Sequence, residues 1–355
     1  MSATLHPRPV KTTAPTTTPP RPTRDPWFDN AKMLLVTLVV LGHGWTLLPH
    51  HRLDTWLYDF LYLWHVPAFV MVTGYLSRSF TWSRRDLSRL LTTVALPYLV
   101  FEAALGAFRV YVGGEDLDML FADPHWPMWY LAVLFAWRLL TPALKAVPAA
   151  LPVAVAGCLL GGLATSELLD TSRVLGLLPF FVLGLLAGPE QVERLRRRDL
   201  RVPAAVTLTL GLVLSYLIEG RMATEWLYWR SGYAELGVTA PEGMAVRVGL
   251  LVAGGMLALS FLALVPRRAG WFAGMGVATL VVYLFHGFVV KGVEYTDFPG
   301  WASANPVLAL ALVSPLSVVL ALLLAWEPVA TRLNVVVDPV GSWRRSRQHS
   351  RPAGG

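Results

Sequence analysis

Ten long apolar stretches limit what this chain can fold into more than any other feature of the sequence. They lie near residues 31–49, 56–76, 88–110, 128–145, 147–165, 173–189, 202–219, 245–265, 272–292 and 305–326. A helix needs about 20 apolar residues to cross a bilayer, and most stretches approach that length. Only 15% of the residues are charged, against about a quarter in soluble domains. We predict an all-α polytopic membrane helix bundle of about ten transmembrane helices, which excludes soluble enzymes, disulfide scaffolds and disordered chains.

The placement of the basic residues supports this span count. With the N-terminus in the cytoplasm, 22 of the 30 Lys and Arg residues fall in the cytoplasmic tails and loops. The outer loop 111–127 contains four carboxylates and no Lys or Arg. This alternation follows the positive-inside rule, so we predict that both termini are cytoplasmic. No zinc-finger or helix-turn-helix pattern accompanies the net charge of +7, so we expect no nucleic-acid partner.

The ends of the chain differ in composition from its centre. Residues 1–26 are Pro/Thr-rich and predict a disordered cytoplasmic tail. Residues 27–326 form the predicted transmembrane domain, and residues 327–355 form a basic cytoplasmic tail. The single cysteine, Cys158, lies in an apolar run, so no disulfide framework is predicted. Since the chain consists of this transmembrane domain and two tails, we expect any chemistry to take place within the bundle or at its rims.

Four ionisable residues lie inside the predicted spans: His43, His65, Glu102 and His286. Counted along each helix from its cytoplasmic end, all four are roughly 15–22 Å deep. Such groups are energetically expensive in a bilayer and usually have a function or a partner. One interpretation is four separate polar groups that stabilise helix packing. Their common depth favours a shared site instead.

Lys32 and His43 lie on one face of the first predicted helix. Eleven residues at 100° each bring the two side chains to within about 20° of the same direction, roughly 16 Å apart along the axis. A cation at the rim and a base far below it suit a long substrate that is anionic at one end and reactive at the other. Coenzyme A thioesters have this shape. Lys32 can also be an ordinary snorkelling lysine at the cytoplasmic interface.

Three arginines, Arg84, Arg85 and Arg89, cluster in the loop that leads into the third span. Guanidinium groups bind phosphate in a bidentate manner, so this cluster is a candidate phosphate site. The positive-inside rule alone explains any single one of these arginines equally well. Three histidines and a glutamate could hold zinc. They lie on four different helices without a local pair, so no metal site is predicted.

Several motifs follow one another in a definite order along the predicted spans. The first runs through the first span, from Asp29-Asn30-Ala31-Lys32 to Gly42-His43. The others are His65-Val66-Pro67-Ala68-Phe69 with Thr73-Gly74-Tyr75-Leu76, Arg89-Leu90-Leu91 with Leu96-Pro97-Tyr98, His125-Trp126-Pro127-Met128-Trp129-Tyr130-Leu131, Leu178-Pro179-Phe180-Phe181-Val182-Leu183-Gly184 and Tyr283-Leu284-Phe285-His286. In this order the motifs resemble the acyltransferase-3 family of membrane O-acyltransferases, and its fucose 4-O-acetylase-like branch in particular. The chain departs from the family pattern at two points, because Ala278-Thr279-Leu280 replaces Asn-Ser and Arg85-x-x-x-Arg89 replaces Arg-x-x-Arg.

The resemblance implies acyl transfer from cytoplasmic acyl-CoA, usually acetyl-CoA, to a hydroxyl of a sugar, glycolipid or other envelope or secreted metabolite. Acetyl-CoA is then a co-substrate, and no bound cofactor is expected. The transmembrane domain 27–326 is the expected acyltransferase domain, in the plasma membrane. The hypothesis assigns His43 as the general base, with Lys32, Arg84, Arg85 and Arg89 on the CoA phosphates. His65, Glu102 and His286 orient His43 or bind the acceptor.

A transporter or flippase of an anionic or sugar-containing solute is the alternative. Intramembrane histidines and rim cations suit proton-coupled transport equally well. We find no internal repeat between the two halves of the chain, which favours the acyltransferase. A structural membrane subunit without activity is the third interpretation, and it leaves the alignment of Lys32 with His43 as a coincidence.

Overall fold

In the computed structural model, which describes residues 24–118, 121–163, 168–339 and 341–342, the chain folds into helices and no strand is found in those residues. Residues 1–23 of the predicted N-terminal tail and residues 340 and 343–355 of the predicted C-terminal tail lie outside the described residues, whereas the first part of the C-terminal tail forms a helix, Glu327–Val337. The helices are α1 Pro26–Trp45, α2 Arg52–Leu76, α3 Arg84–Leu90, α4 Leu96–Tyr111, α5 Trp129–Ala146, α6 Ala150–Leu160, α7 Thr171–Gly176, α8 Leu178–Leu186, α9 Pro189–Leu195, α10 Arg201–Leu217, α11 Ala240–Leu264, α12 Trp271–Met275, α13 Thr279–Glu294, α14 Phe298–Ala304, α15 Pro306–Ala325 and α16 Glu327–Val337.

Local sequence signals explain several of these boundaries. The Asp25 carboxylate accepts the Trp27 N–H at 3.0 Å and caps α1 at its N-terminus. Thr239 and Glu242 form a capping box at the start of α11. A π-helical turn, Leu91–Ala95, joins α3 to α4 in one 28-residue rod. The arginine cluster and the third apolar stretch therefore lie on one continuous helical rod.

Successive long helices run between two ends of the bundle. We call the first the basic end, where the start of α1 meets the chain after α8, since Arg196 pairs with Asp25 at 2.7 Å. The start of α1 also meets the chain after α11 there, because the Asn30 amide donates to the Pro266 carbonyl at 2.9 Å. At the opposite end the start of α2 meets the end of α10, where Arg52 pairs with Glu219 at 3.0 Å.

The structure confirms an all-α membrane bundle, but the number of crossings stays a prediction. Among the described residues, four helices are long and apolar enough to cross a bilayer: Arg84–Tyr111, Arg198–Leu217, Ala240–Leu264 and Pro306–Ala325. A fifth is counted if Leu168–Gly176 and Leu178–Leu186, bent by 60°, form one broken crossing. Other helices fall short of a full crossing on length or polarity, since α13 has 16 residues and α1 contains Asp29, Asn30 and Lys32.

The α2 and α8 helices touch backbone to backbone at two glycines. A Cβ on Gly74 of α2 would collide with the Phe181 carbonyl, and one on Gly184 of α8 would collide with the Met71 carbonyl. Only glycine permits this approach, and small residues at helix interfaces are a general device of membrane proteins. The pair fixes α2, which carries His65, against α8.

Candidate active site

Two histidines from opposite parts of the chain meet in the bundle core. The Nδ1 atom of His43 on α1 lies 2.7 Å from Nε2 of His286 on α13. The two rings are nearly parallel, with centroids 5.0 Å apart and an interplanar angle of 14°. His286 is fully buried and His43 is 7% exposed. This contact joins residues that are 243 positions apart in sequence.

Hydrogen bonding assigns the protons of the neutral pair. The Nδ1 atom of His286 lies 3.1 Å from the Val282 carbonyl, which can only accept, so this nitrogen carries the proton. The Nε2 atom of His286 is then bare and accepts from the Nδ1–H of His43. The Nε2 atom of His43 is left with a free lone pair. A backbone carbonyl thus fixes, through His286, the tautomer that makes His43 a base.

His43 lines a cavity of about 250 Å³ in the centre of the bundle. His65 from α2 lines the same cavity, and its Nδ1 atom donates to the Leu61 carbonyl at 2.7 Å. The Nε2 atom of His65 is therefore also bare in the neutral ring. The rest of the wall is largely aromatic, with Tyr58, Tyr62, Phe69, Trp126, Trp129, Tyr130, Tyr228, Trp229 and Tyr283.

Glu102 is buried near this site but does not line the cavity. One of its oxygens accepts from the His125 backbone N–H at 2.9 Å and lies 2.6 Å from His125 Nδ1. His125 precedes Trp126, whose ring packs against His43 with centroids 4.6 Å apart. Glu102 therefore holds the loop before α5 in place and acts on His43 only through that loop.

The loop before α5 has two further attachments. The Tyr283 hydroxyl donates to the Pro127 carbonyl, and Lys291 lies 5.8 Å from the centre of the Trp126 ring. Both residues belong to α13, the helix that carries His286. The aromatic wall beside His43 and the second histidine are thus positioned by the same helix.

Arg173 is a cation on the cavity wall that sequence reasoning did not single out. Its guanidinium group donates to the Tyr228 carbonyl at 3.0 Å and to Asp170 at 2.5 Å, and lies 4.7 Å from the centre of the Trp129 ring. The signal was present in sequence, because Arg173 begins an apolar stretch and follows Asp170 by three positions. Its direction toward the cavity depends on the bend between α7 and α8.

The predicted phosphate ligands lie toward the basic end. Lys32 pairs with Asp29 at 2.8 Å on α1, and it stands one helical turn before Val36, which lines the cavity. Arg84, Arg85 and Arg89 are exposed on the first turns of the 84–111 rod. Half-buried Arg138 of α5 lies within electrostatic range of Arg89 and of the cavity residue Tyr130.

A second, polar cavity of about 190 Å³ adjoins the first on its other side. Thr46, Tyr58 and Tyr228 belong to both walls. His50, Asp54 and Glu225 add titratable groups to the second wall. Sequence reasoning missed this chamber because its wall comes from two segments, 45–58 and 224–228, that are distant in sequence. The histidine cavity thus adjoins a polar chamber.

The carboxylate of Glu115 and its hydrogen-bond donors attach the loop after α4 to α13. Glu115 accepts from Arg109 at 2.5 Å, pairs with Lys291 at 3.2 Å and accepts from the Tyr295 hydroxyl. Burial opposes ionisation, but these hydrogen bonds outweigh it and lower the pKa of Glu115 to about 2.

Within the described residues, no three His, Cys, Asp or Glu side chains are grouped so that they could hold a metal ion.

Comparison with known families decides the classification. A family model described as an acyltransferase domain, Acyl_transf_3, matches residues 25–326. The chain belongs to the acyltransferase-3 family. No curated protein and no solved structure matches the chain significantly. The match covers the described helices from α1 to α15, and His43, His65, Glu102 and His286 all lie inside it. The predicted family is confirmed, whereas the fucose 4-O-acetylase-like branch remains a prediction.

Proposed function

We propose that this membrane acyltransferase moves an acetyl or other acyl group from acyl-CoA to a hydroxyl of a sugar, glycolipid or other envelope or secreted metabolite in the plasma membrane. The observation that carries the proposal is the lone pair on His43 Nε2, fixed by His286 at the wall of a buried cavity. A base of this kind is what an acceptor hydroxyl needs, because a hydroxyl is a weak nucleophile until its proton is removed.

In the proposed reaction, His43 is the only protein group that has to take up and release a proton. His43 Nε2 takes the proton of the acceptor hydroxyl while the oxygen attacks the thioester carbonyl carbon. The carbon–sulfur bond then breaks, and the proton on His43 returns to the CoA sulfur. His286 accepts the hydrogen bond from His43 Nδ1–H throughout and stabilises the positive ring that forms. His65 presents a second bare Nε2 to the same cavity, in a position to bind the acceptor.

The donor is assigned to the basic end. Lys32 is about 16 Å from His43 along α1, a span that suits a pantetheine arm between the CoA phosphates and the thioester. Arg84, Arg85 and Arg89 are the other phosphate ligands in the proposal, and their exposure leaves them accessible to a soluble donor. The acceptor is assigned to the opposite side, through the polar chamber that shares Tyr58 and Tyr228 with the cavity.

The aromatic wall supports a sugar-bearing acceptor. Tyr58 and Tyr228 hydroxyls lie 3.0 Å apart, and the Tyr58 and Tyr62 rings stack with centroids at 4.1 Å. Rings and hydroxyls in this density offer both flat apolar faces and hydrogen-bond partners to a polyhydroxylated ligand. Arg173 adds a cation to the same wall for an acceptor that carries an acidic group.

The test uses purified full-length protein with radiolabelled acetyl-CoA, with and without an extract of candidate acceptors. We expect CoA release and acceptor labelling in the wild type and a loss of roughly 10²- to 10⁴-fold in His43→Ala. His51→Asn is the matched control, because it removes an exposed imidazole and keeps an N-cap residue for α2. Full transfer by His43→Ala overturns the mechanism. CoA-independent solute uptake into vesicles, with no acyl transfer, favours the transporter instead.

A further inference from the structure

Five arginines line one cleft at the basic end of the bundle, apart from the histidine cavity. The cleft has a volume of about 460 Å³ and lies between the segment before α10 and the chain after α11. Its walls are formed by Arg196, Arg198, Arg201, Arg267 and Arg268, with Leu264 and Pro266. None of these residues lines the cavity of His43.

The positive charge of this cleft is only partly neutralised. Arg196 pairs with Asp25 at 2.7 Å and with Glu193 at 2.8 Å, and Arg267 shares Glu193 at 2.6 Å. Within the described part of the chain, no ion pair is found for the other three arginines, which are Arg198, Arg201 and Arg268. Two carboxylates thus face five guanidinium groups, and about three positive charges are left.

Arg196 forms the rigid inner wall of the cleft. Its side chain is 6% exposed, and two of its guanidinium nitrogens are held by Asp25 and Glu193. The guanidinium plane lies over the rings of Trp27 and Phe28, at 4.4 and 5.2 Å, which holds it rigidly at the wall of the cleft.

An apolar groove adjoins the arginines. It has a volume of about 510 Å³ and includes Leu183, Leu186, Leu195, Leu200, Leu259 and Leu262. Leu200 lies between Arg198 and Arg201 in sequence, so the groove and the cleft meet at the start of α10. Four leucines of the groove are exposed at the surface of the bundle, at 37% to 50%: Leu183, Leu186, Leu200 and Leu259. The groove therefore opens onto the apolar outer surface that faces lipid.

We propose that this cleft binds the headgroup of an anionic phospholipid, with the acyl chains along the leucine groove. Arginine matches phosphate oxygens in a bidentate geometry, and basic pockets at the ends of membrane helices hold anionic headgroups. The surplus of about three charges selects a net negative headgroup over a zwitterionic one. The leucines beside the cleft select a lipid over a soluble phosphate.

The bound lipid is connected to α1 through two contacts. The Asn30 amide donates to the Arg268 carbonyl at 3.0 Å, and Arg196 pairs with the N-cap residue Asp25. A headgroup in the cleft therefore stabilises the N-terminal end of the helix that carries Lys32 and His43. This inference depends on the arginine cleft alone and stands whether or not acyl-CoA is the donor.

The test compares three proteins in phosphatidylcholine nanodiscs titrated with phosphatidylglycerol or cardiolipin. The Arg198→Gln/Arg201→Gln/Arg268→Gln variant removes the unpaired charges of the cleft. The control removes three exposed arginines that do not line it, with Arg24→Gln/Arg197→Gln/Arg332→Gln. Native mass spectrometry measures retained lipid, and the unfolding midpoint reports stabilisation. We expect anionic lipid binding to weaken about 100-fold in the cleft variant and little in the control.

Three results would overturn the proposal. They are equal retention of anionic lipid by the cleft variant, equal retention of phosphatidylcholine by the wild type, and displacement of the lipid by free CoA at the same concentration. The last result assigns the cleft to a soluble phosphate compound. If the triple variant does not fold, Arg201→Gln and Arg268→Gln are measured singly. An unchanged affinity for anionic lipid in both variants also overturns the proposal.

Discussion

The Nδ1 atom of His43 is 2.7 Å from Nε2 of His286, whose own Nδ1 donates to the Val282 carbonyl. This chain of two hydrogen bonds runs in one direction and ends on the free lone pair of His43. A buried carboxylate does not complete the arrangement, since Glu102 bonds to His125 instead. The group that orients His43 is therefore a neutral imidazole that is fixed by a main-chain carbonyl.

We expect His43 and His286 to behave as one unit in mutagenesis. His286→Ala leaves the Nδ1–H of His43 without its acceptor, so the ring can turn or change tautomer and the transfer rate falls. The double variant is no slower than His43→Ala alone, because His286 acts only through His43. Steady-state rates of acyl transfer for the four proteins of the cycle measure this coupling. Additive losses would contradict it.

Removal of the Glu102 carboxylate should loosen the wall beside His43. Glu102→Ala leaves two donors of His125 without their acceptor, which costs about 1–3 kcal/mol of stability. Glu102→Gln keeps one carbonyl oxygen for the His125 N–H and loses less. The unfolding midpoint and Trp fluorescence check this order, and equal stability of the two variants would show that the His125 contacts contribute nothing.

Loss of the rim cations should act on donor binding more than on the chemical step. Lys32→Ala and Arg89→Gln each remove a phosphate contact, so KM for acyl-CoA rises about 10- to 100-fold while kcat changes less. The effect shrinks at high salt because exposed charges are screened. Arg332→Gln, also exposed and on α16, is the matched control. A fall in kcat at unchanged KM would place these residues elsewhere in the mechanism.

The Glu115 cluster predicts a pH-dependent stability. Despite partial burial, bonds from Arg109, Tyr295 and Lys291 lower the pKa of Glu115 from 4.5 to about 2. The carboxylate therefore adds stability in full above pH 4.5, and the gain disappears as the pH falls from 4.5 toward 2. Glu115→Gln should unfold at a lower temperature than the wild type at pH 7, with the difference narrowing below pH 4.5. The exposed Glu190→Gln should match the wild type throughout.

The crossing of α2 and α8 predicts a steric phenotype. Gly74→Ala and Gly184→Ala each push a methyl group into a facing carbonyl, and overpacking of this kind costs about 1–3 kcal/mol. Gly249→Ala in α11 has open space at its Cβ, so it should be neutral or slightly stabilising. Unfolding midpoints separate the two groups, and a neutral Gly184→Ala would mean that the two helices can part.

The sequence predicted the membrane bundle and the family. It also singled out His43 and His65, which line one cavity, and His286, which contacts His43. Depth along a helix can be counted from sequence, so all four ionisable residues in the spans were placed at one level. The direction in which a side chain points around the bundle cannot be derived from the sequence in this way. Glu102 lies beside His125 for this reason, and Arg173 enters the cavity through the bend between α7 and α8.

The position of Trp126 shows the same limit. It belongs to the motif at the start of the fourth apolar stretch, yet the centre of its ring lies 4.6 Å from that of His43. A loop that folds back into the bundle leaves no periodic signal, because its contacts with Glu102 and Tyr283 join residues distant in sequence. Hydropathy also overestimated the regularity of the spans, since the sixth stretch is two helices bent by 60°.

The backbone contact between Gly74 and Gly184 bears on how substrates reach the histidines. A carrier that opens alternately to either side must move one half of its bundle against the other, and α2 and α8 would have to slide or separate. Carbonyls in direct contact with the glycine positions oppose both movements. We therefore expect the wall that holds His65 to stay fixed during turnover, so that in the proposed reaction the substrates come to a stationary cavity.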